Sequence, residues 1–119
     1  MGMDCTVCFE YNEPDCSIEK YKWQLMGIYQ TGRNTSLFQM IIERAHAGYP
    51  DNVSEDTVEY LTEHERWGEC WLSYKEWLAL QSEFASEDDC VLDKDWKFIP
   101  DFYKKRYQER IRIIFRFDN

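Results

Sequence analysis

The stretch that decides the fold is Ile111-Arg112-Ile113-Ile114-Phe115-Arg116-Phe117, near the carboxyl end of the 119-residue chain. Large apolar residues stand at every odd position, a spacing typical of a β-strand because successive side chains point to opposite faces. The odd-numbered residues are therefore expected to face the core, whereas Arg112 and Arg116 are expected to point to solvent. The bulk of the apolar residues predicts a central position in a sheet.

Two more strands are predicted near the amino end of the chain. Residues 5–11 alternate in polarity. Residues 22–29 place Trp23, Leu25 and Tyr29 on the same face of a second strand. A hairpin with a long polar loop is the simplest connection between them. Gly27 indicates a bulge or a close backbone approach within the second of these strands.

Helices are predicted between the strands. The first is capped by Asn34 or Thr35 and ends before Gly48. Its apolar stripe at helical spacing, which is expected to face the core, consists of Leu37, Phe38, Ile41, Ile42 and Ala45. Ser54 begins a short acidic helix with a thin apolar stripe, for which loose or peripheral packing is expected. A third helix follows the capping box Ser73-Tyr74-Lys75-Glu76.

A fourth helix is predicted to open at Pro100, since proline is favoured in the first helical turn. Together these elements predict a single α+β domain over residues 1–119, in which about four helices cover a small sheet. The sheet is expected to have three or slightly more strands in antiparallel or mixed order. No apolar run is long enough to span a membrane and no secretory pattern is present, so a cytoplasmic protein is expected.

The five cysteines indicate a reducing compartment rather than a disulfide framework, because their number is odd and no signal peptide precedes them. Cys5 and Cys8 have the spacing of a metal or redox pair. On a strand, however, residues three apart point to opposite faces, so these two thiols cannot share a metal. We predict buried strand cysteines and no metal site.

Charge is divided unequally along the chain, whose net charge is −9. Residues 51–95 hold 14 acidic and three basic residues, whereas residues 96–117 hold seven basic and two acidic ones. Direct binding to a nucleic acid is disfavoured, since it requires cations that replace counterions. The acidic segment is either a solvated face paired with the basic region or an imitation of a phosphate backbone, and the basic region can form a pocket for a phosphorylated ligand.

Catalytic chemistry is not indicated. No nucleophile elbow, phosphate-binding loop, dinucleotide fingerprint or zinc-protease motif occurs, so no enzyme, catalytic residue or cofactor is predicted. His46 is expected to cap the end of the first helix, and His64 to face solvent.

Recognition chemistry is the remaining indication. Arg33 and Asn34 precede a helix amino terminus, where free N–H groups favour an anion, although turn and cap roles explain them equally well. Trp71 and Tyr74 belong to an aromatic group that either packs in the core or stacks on a base. The full set of predicted ligand-binding residues is Arg33, Asn34, Trp71, Tyr74, Arg112 and Arg116.

The chain resembles a family of small phage and prophage proteins of largely unassigned function. The resemblance rests on Gly32-Arg33-Asn34 with Leu37-Phe38, on residues 50–54, on Trp71-Leu72-Ser73 and on the terminal residues 112–119. Family members often carry His-Ser-His-Ser before the tryptophan, where this chain has Trp67-Gly68-Glu69-Cys70. The resemblance implies a viral origin and a role in countering host defence.

Two functions are therefore expected, with a structural or housekeeping phage protein as a third alternative. The leading one is the sequestration of a small nucleotide-like signalling ligand. The rival is an acidic inhibitor that covers the nucleic-acid-binding surface of a host nuclease or CRISPR-type defence complex. A homo-oligomer formed by sheet extension is a further possibility. The acidic partner-binding residues named for the rival are Glu59, Glu63, Glu87, Asp88 and Asp89.

Overall fold

Five antiparallel strands form one sheet in the computed structural model, which describes residues 4–13, 15–18, 22–31, 35–62, 68–86 and 110–118. Their order across the sheet is β2-β1-β5-β4-β3. The strands are β1 (Asp4–Asn12), β2 (Trp23–Thr31), β3 (His46–Ala47), β4 (Glu69–Ser73) and β5 (Ile111–Asp118).

The central position predicted for residues 111–117 is confirmed. β5 pairs antiparallel with β1 from Tyr11 opposite Ile111 to Asp4 opposite Asp118. On its other side β5 pairs with β4, and Leu72 lies opposite Ile113. The two ends of the chain therefore meet in the middle of the sheet.

Three helices cover the described part of the sheet on both faces. They are α1 (Thr35–Arg44), α2 (Glu55–Thr62) and α3 (Tyr74–Ser86). α1 and α3 pack over one face, and α2 covers the other. None of the helices in the described ranges is long and apolar enough to cross a membrane. The first core contains Val7, Phe9, Leu37, Phe38, Ile41, Trp77, Leu80, Phe84, Ile113 and Phe115, and the second contains Cys8, Leu61 and Ile114.

The predicted sheet size is wrong, although the α+β class agrees with the structure. Five antiparallel strands replace the expected three or slightly more, because β3 and β4 were not predicted. β3 has two residues, and the five residues of β4, ECWLS, do not alternate in polarity, so neither shows a strand pattern. The pairing of β3 with β4, and of β4 with β5, supplies the hydrogen bonds that make them strands.

The helix predictions also need correction. α1 ends at Arg44, and His46 belongs to β3 rather than to a helix cap. Ile42, placed on the core-facing stripe, is 49% exposed. About four helices were expected, whereas the described residues form three; the helix predicted after Pro100 lies outside the described residues.

The prediction that Arg112 and Arg116 face solvent is wrong. Their exposed fractions are 5% and 1%. The alternation along β5 was identified correctly, but both faces of this strand are covered, so the polar face of the strand lies beneath α2. The guanidinium groups must therefore find their partners inside the protein.

The structural interpretation of the cysteines is confirmed for Cys5 and Cys8, which are buried on opposite faces of β1. The pKa of Cys8 is raised to about 12, mainly by burial and to a smaller extent by the negative charge of Glu10. The positive charge of Arg116 acts in the opposite direction but is outweighed. Burial and then Glu69 raise the pKa of Cys70 to about 12. Both thiols are protonated at neutral pH and are poor nucleophiles.

Gly27 combines the bulge and the close approach expected of it. The register between β1 and β2 shifts next to the pair formed by Phe9 and Gly27. A Cβ atom at residue 27 would lie 2.5 Å from Cζ of Phe9, whose ring is buried in the first core. The absence of a side chain at Gly27 is what allows this aromatic ring to lie so close to β2.

We expect Gly27→Ala to lower the free energy of unfolding by about 1–3 kcal/mol, because the ring of Phe9 has to shift within a packed core. Urea unfolding followed by tryptophan fluorescence measures the change. A double-mutant cycle with Phe9→Leu is the control, since the shorter side chain relieves the clash. Additive effects of the two substitutions would contradict this explanation.

Candidate functional site

A buried carboxylate at the centre of the sheet organises the face covered by α2. Glu10 on β1 is 0% exposed. Its Oε2 accepts hydrogen bonds from the backbone N–H of Ser54 at 2.9 Å and from Oγ1 of Thr57 at 2.5 Å. Its Oε1 accepts one from Nε of Arg112 at 2.8 Å, and Nη2 of Arg112 lies equally close.

Arg112 joins two further parts of the fold. Its Nη1 donates to the backbone carbonyl of Asp51 at 2.8 Å, and its Cζ lies 3.8 Å from the ring centroid of Trp23 on β2. Burial lowers the pKa of Arg112, while the charge and hydrogen bond of Glu10 act in the opposite direction. The guanidinium therefore holds the loop before α2 against the sheet while a carboxylate balances its charge.

Arg116 holds the other end of α2. Its Nη1 donates to the backbone carbonyl of Leu61, and its Nη2 donates to Oγ1 of Thr6 at 3.3 Å. Glu69 is its cross-strand neighbour on β4. A helix leaves its last carbonyls without partners in the helix, and a cation is favoured there because of the helix dipole.

The two anchors match the length of the helix between them. Arg112 and Arg116 are four residues apart on β5, which is about 13 Å along a strand. The eight residues of α2 span about 12 Å. Glu10 lies at the amino end of this helix and Arg116 at its carboxyl end, so both buried charges have the sign that the helix dipole favours.

The outward side of α2 is acidic. Asp51, Glu55, Asp56 and Glu59 are all exposed, and we call these four residues the acidic α2 face. The loose packing expected of this helix is not observed. Leu61 is its one fully buried large apolar residue, but buried charged groups hold Thr57 and both ends of the helix. The carboxylates are therefore presented from a fixed backbone.

A second feature lies where β3 meets α3. The rings of His46 and Trp71 pack with their centroids 4.5 Å apart, and Nε2 of His46 lies 2.9 Å from Oε2 of Glu76. The predicted capping box is confirmed: Glu76 accepts from the N–H of Ser73 at 2.9 Å and its own N–H donates to Oγ of Ser73 at 3.2 Å. Partial burial acts to raise the pKa of Glu76, but the hydrogen bonds from Ser73 and His46 outweigh it, so the pKa of this carboxyl is lowered.

A half-open groove of about 340 Å³ lies next to this feature, on the α1 side of β3. Its lining is mostly apolar. Glu69 is one of the lining residues, but its side chain lies on the α2 side of the sheet, where its carboxylate accepts a hydrogen bond from Tyr49 at 3.0 Å. A groove of this size and polarity can take a small, largely apolar ligand. The lining residues are Ile42, Ala45, Ala47, Gly68, Glu69, Cys70 and Phe117.

The structure brings only part of the predicted ligand-binding set together. Arg112 and Arg116 lie under α2 with partners inside the protein. Trp71 packs against the second core and Tyr74 against the first, so these two rings lie on opposite sides of the sheet and do not form one stacking wall. Arg33 and Asn34 lie outside the described residues.

Of the predicted partner-binding acids, Glu59 is exposed on α2. The other four, Glu63, Glu87, Asp88 and Asp89, lie outside the described residues. The structure therefore describes one of the five predicted residues, Glu59, and places it near three exposed acids that the prediction did not name, Asp51, Glu55 and Asp56.

Sequence reasoning missed the residue at the centre of the site. Glu10 is a charged residue in the middle of a predicted strand, and this was its only signal. Its partner Arg112 is 102 positions away, and the pairing depends on the register between β1 and β5. Thr57 was missed because a threonine does not extend an apolar stripe, although it is fully buried.

Within the described ranges, no group of three or more potential ligand residues is arranged to hold a metal ion. Comparisons with protein-family models, with curated proteins and with solved structures give no match to the chain. A function therefore has to be argued from the residues themselves.

We expect Glu10→Gln to lower the free energy of unfolding by about 3 kcal/mol or more, because it leaves the buried charge of Arg112 without a counter-charge. Urea unfolding monitored by circular dichroism measures the effect. Glu43→Gln is the matched control, since it makes the same chemical change at an exposed position of α1. Equal losses for the two variants would show that the buried pair does not anchor the fold.

Proposed function

We propose that this chain is a non-enzymatic accessory protein of phage type that inhibits a host defence complex by binding its nucleic-acid-binding surface through the acidic α2 face. The observation that carries the proposal is the anchoring of α2. Buried charges hold both ends of this helix, while its exposed carboxylates point away from the sheet. The resemblance to phage proteins supports the counter-defence role.

Rigid presentation supports binding because a surface already ordered before association loses less conformational entropy on contact. The polar network beneath α2 supplies this order without a large apolar core.

The charge density supports a cationic partner. α2 carries three exposed carboxylates, Glu55, Asp56 and Glu59, within about 6 Å along its axis, which is at least as dense as the spacing of about 3.4 Å per charge on one DNA strand. The two arginines of β5, Arg112 and Arg116, are buried beneath α2, so they are not available to contact a partner at this surface. A protein that normally binds a phosphate backbone has a complementary surface.

We expect Glu55→Lys combined with Glu59→Lys to weaken inhibition at least about tenfold, because like charges then face each other across the interface. The assay measures displacement of a labelled DNA duplex from purified defence nucleases and CRISPR-type effector complexes. Asp15→Lys combined with Glu43→Lys is the matched control, with the same net charge and equally exposed positions elsewhere.

Wild-type inhibition should also weaken as salt rises, since exposed charges are screened. Equal weakening by both double variants would indicate a general effect of net charge and would contradict a role specific to α2. Failure of the wild-type chain to displace DNA from any complex in the panel would overturn the proposal.

A second candidate function is the sequestration of a small nucleotide-like ligand, and one observation favours it. The groove of about 340 Å³ is large enough for an aromatic base, and its mostly apolar lining can cover the faces of such a ring. Phosphate binding would depend on residues other than Arg112 and Arg116, which are engaged beneath α2.

If the groove takes such a ligand, calorimetric titration with cyclic and linear nucleotides should give one site with a dissociation constant below about 1 μM, or −8.2 kcal/mol. Ala47→Phe should abolish the heat because it fills the groove. Ala79→Phe, on the exposed side of α3, should leave it unchanged. The absence of measurable heat for every nucleotide would exclude this function.

A further inference from the structure

The rotation of α2 about its own axis does not follow its apolar residues. Val58 and Leu61 are the two aliphatic residues in its sequence, EDTVEYLT, and an amphipathic helix turns such residues toward the core. In the structure Thr57 and Leu61 are both 0% exposed, whereas Val58 is only half-buried. A polar residue therefore occupies the buried position that the apolar pattern gives to Val58.

The size of this difference follows from helix geometry. Successive residues of an α-helix are about 100° apart around its axis. The midpoint of Thr57 and Leu61 marks the buried side of α2, and it is about 50° from the midpoint of Val58 and Leu61. The helix is thus held about 50° away from the rotation that would bury its aliphatic pair best.

The buried carboxylate of Glu10 explains this rotation. Oγ1 of Thr57 donates to its Oε2 at 2.5 Å, and the backbone N–H of Ser54 donates to the same oxygen at 2.9 Å. If Thr57 turned away, this oxygen would lose one of its two hydrogen bonds while Glu10 remained 0% exposed. The loss of a hydrogen bond to a buried charge outweighs the partial exposure of one valine.

The same rotation decides where the acidic side chains of α2 point. Glu59 lies about 180° from the buried midpoint, and Glu55 and Asp56 lie about 40° and 60° to either side of Glu59. All three therefore face outward, as their exposure shows. After a turn of about 50° toward Val58, Glu55 would lie about 90° from the outward direction and Asp56 would take the central place.

We infer that Thr57 is the positioning residue of the acidic α2 face: its hydrogen bond to Glu10 fixes the rotation of α2 and thereby determines which carboxylates of this helix meet the partner. Thr57 is fully buried, so it acts through the helix and not by contact with the partner. The effect of Thr57 on binding rests on the proposed function, whereas its effect on the rotation of α2 does not.

Two variants that differ only in a hydroxyl group test the inference. Thr57→Ser and Thr57→Ala both remove the methyl group, but only serine can donate to Glu10. NMR relaxation in the presence of a soluble gadolinium chelate measures the exposure of the Val58 methyl groups. We expect the relaxation enhancement at Val58 to be at least about twofold smaller in Thr57→Ala than in Thr57→Ser, because the alanine variant turns its aliphatic pair toward the core.

Displacement of a labelled DNA duplex from the panel of defence complexes is the second measurement. Thr57→Ala should inhibit about threefold less well than Thr57→Ser, which is the size expected for one exposed charge pair. Thr6→Ala is the matched control, since it removes a buried threonine hydroxyl that bonds Arg116 instead of Glu10, and it should leave the exposure of Val58 unchanged. Circular dichroism establishes that the variants are folded, and Thr57→Cys, a weak donor, replaces Thr57→Ala if the latter is not.

Equal relaxation enhancement at Val58 in the serine and alanine variants overturns the inference, and so does an equal decrease in Thr6→Ala. It is also overturned if α2 rotates in Thr57→Ala while the two variants inhibit equally well. If the wild-type chain displaces no DNA, the proposed function fails, and the relaxation measurement alone decides whether Thr57 sets the rotation of α2.

Discussion

The buried ion pair between Glu10 and Arg112 is the interaction on which the arrangement of one whole face of the sheet depends. Two charges taken out of water are unfavourable unless their remaining hydrogen-bonding groups also find partners. Ser54 and Thr57 satisfy the carboxylate, and Asp51 accepts from the guanidinium. Satisfying these groups places the loop before α2 and the first turn of α2 over the centre of the sheet.

The same requirement distributes charge between the interior and the surface. The arginines of β5 lie beneath α2, whereas the carboxylates of the acidic α2 face lie on its outer side. The surface of this region is therefore more acidic than the sequence of β5 suggests. The helix that carries these carboxylates is held by hydrogen bonds at both ends rather than by a broad apolar stripe, which connects the buried pair to the proposed binding surface.

The other face of the sheet is assembled by ordinary apolar packing, and its elements were largely predictable. The alternation in β1 and β5, the start of α1 at Thr35 and the capping box at Ser73 are local patterns, and the structure contains each of them. β3 and β4 were not predictable because each becomes a strand only through pairing with a distant neighbour. His46 was assigned to a helix end for the same reason.

The amino-acid sequence by itself determined the strand character and central position of β5, the placement of Cys5 and Cys8 on opposite faces, and the close approach at Gly27. These follow from side-chain periodicity and from the absence of a Cβ atom, which are properties of the local chain. Only the tertiary structure decided that Arg112 and Arg116 are internal, that Glu10 on β1 is the partner of Arg112, and that Trp71 and Tyr74 lie on opposite sides of the sheet. The reason is that periodicity distinguishes the two faces of a strand, but what covers each face depends on residues far away in the chain.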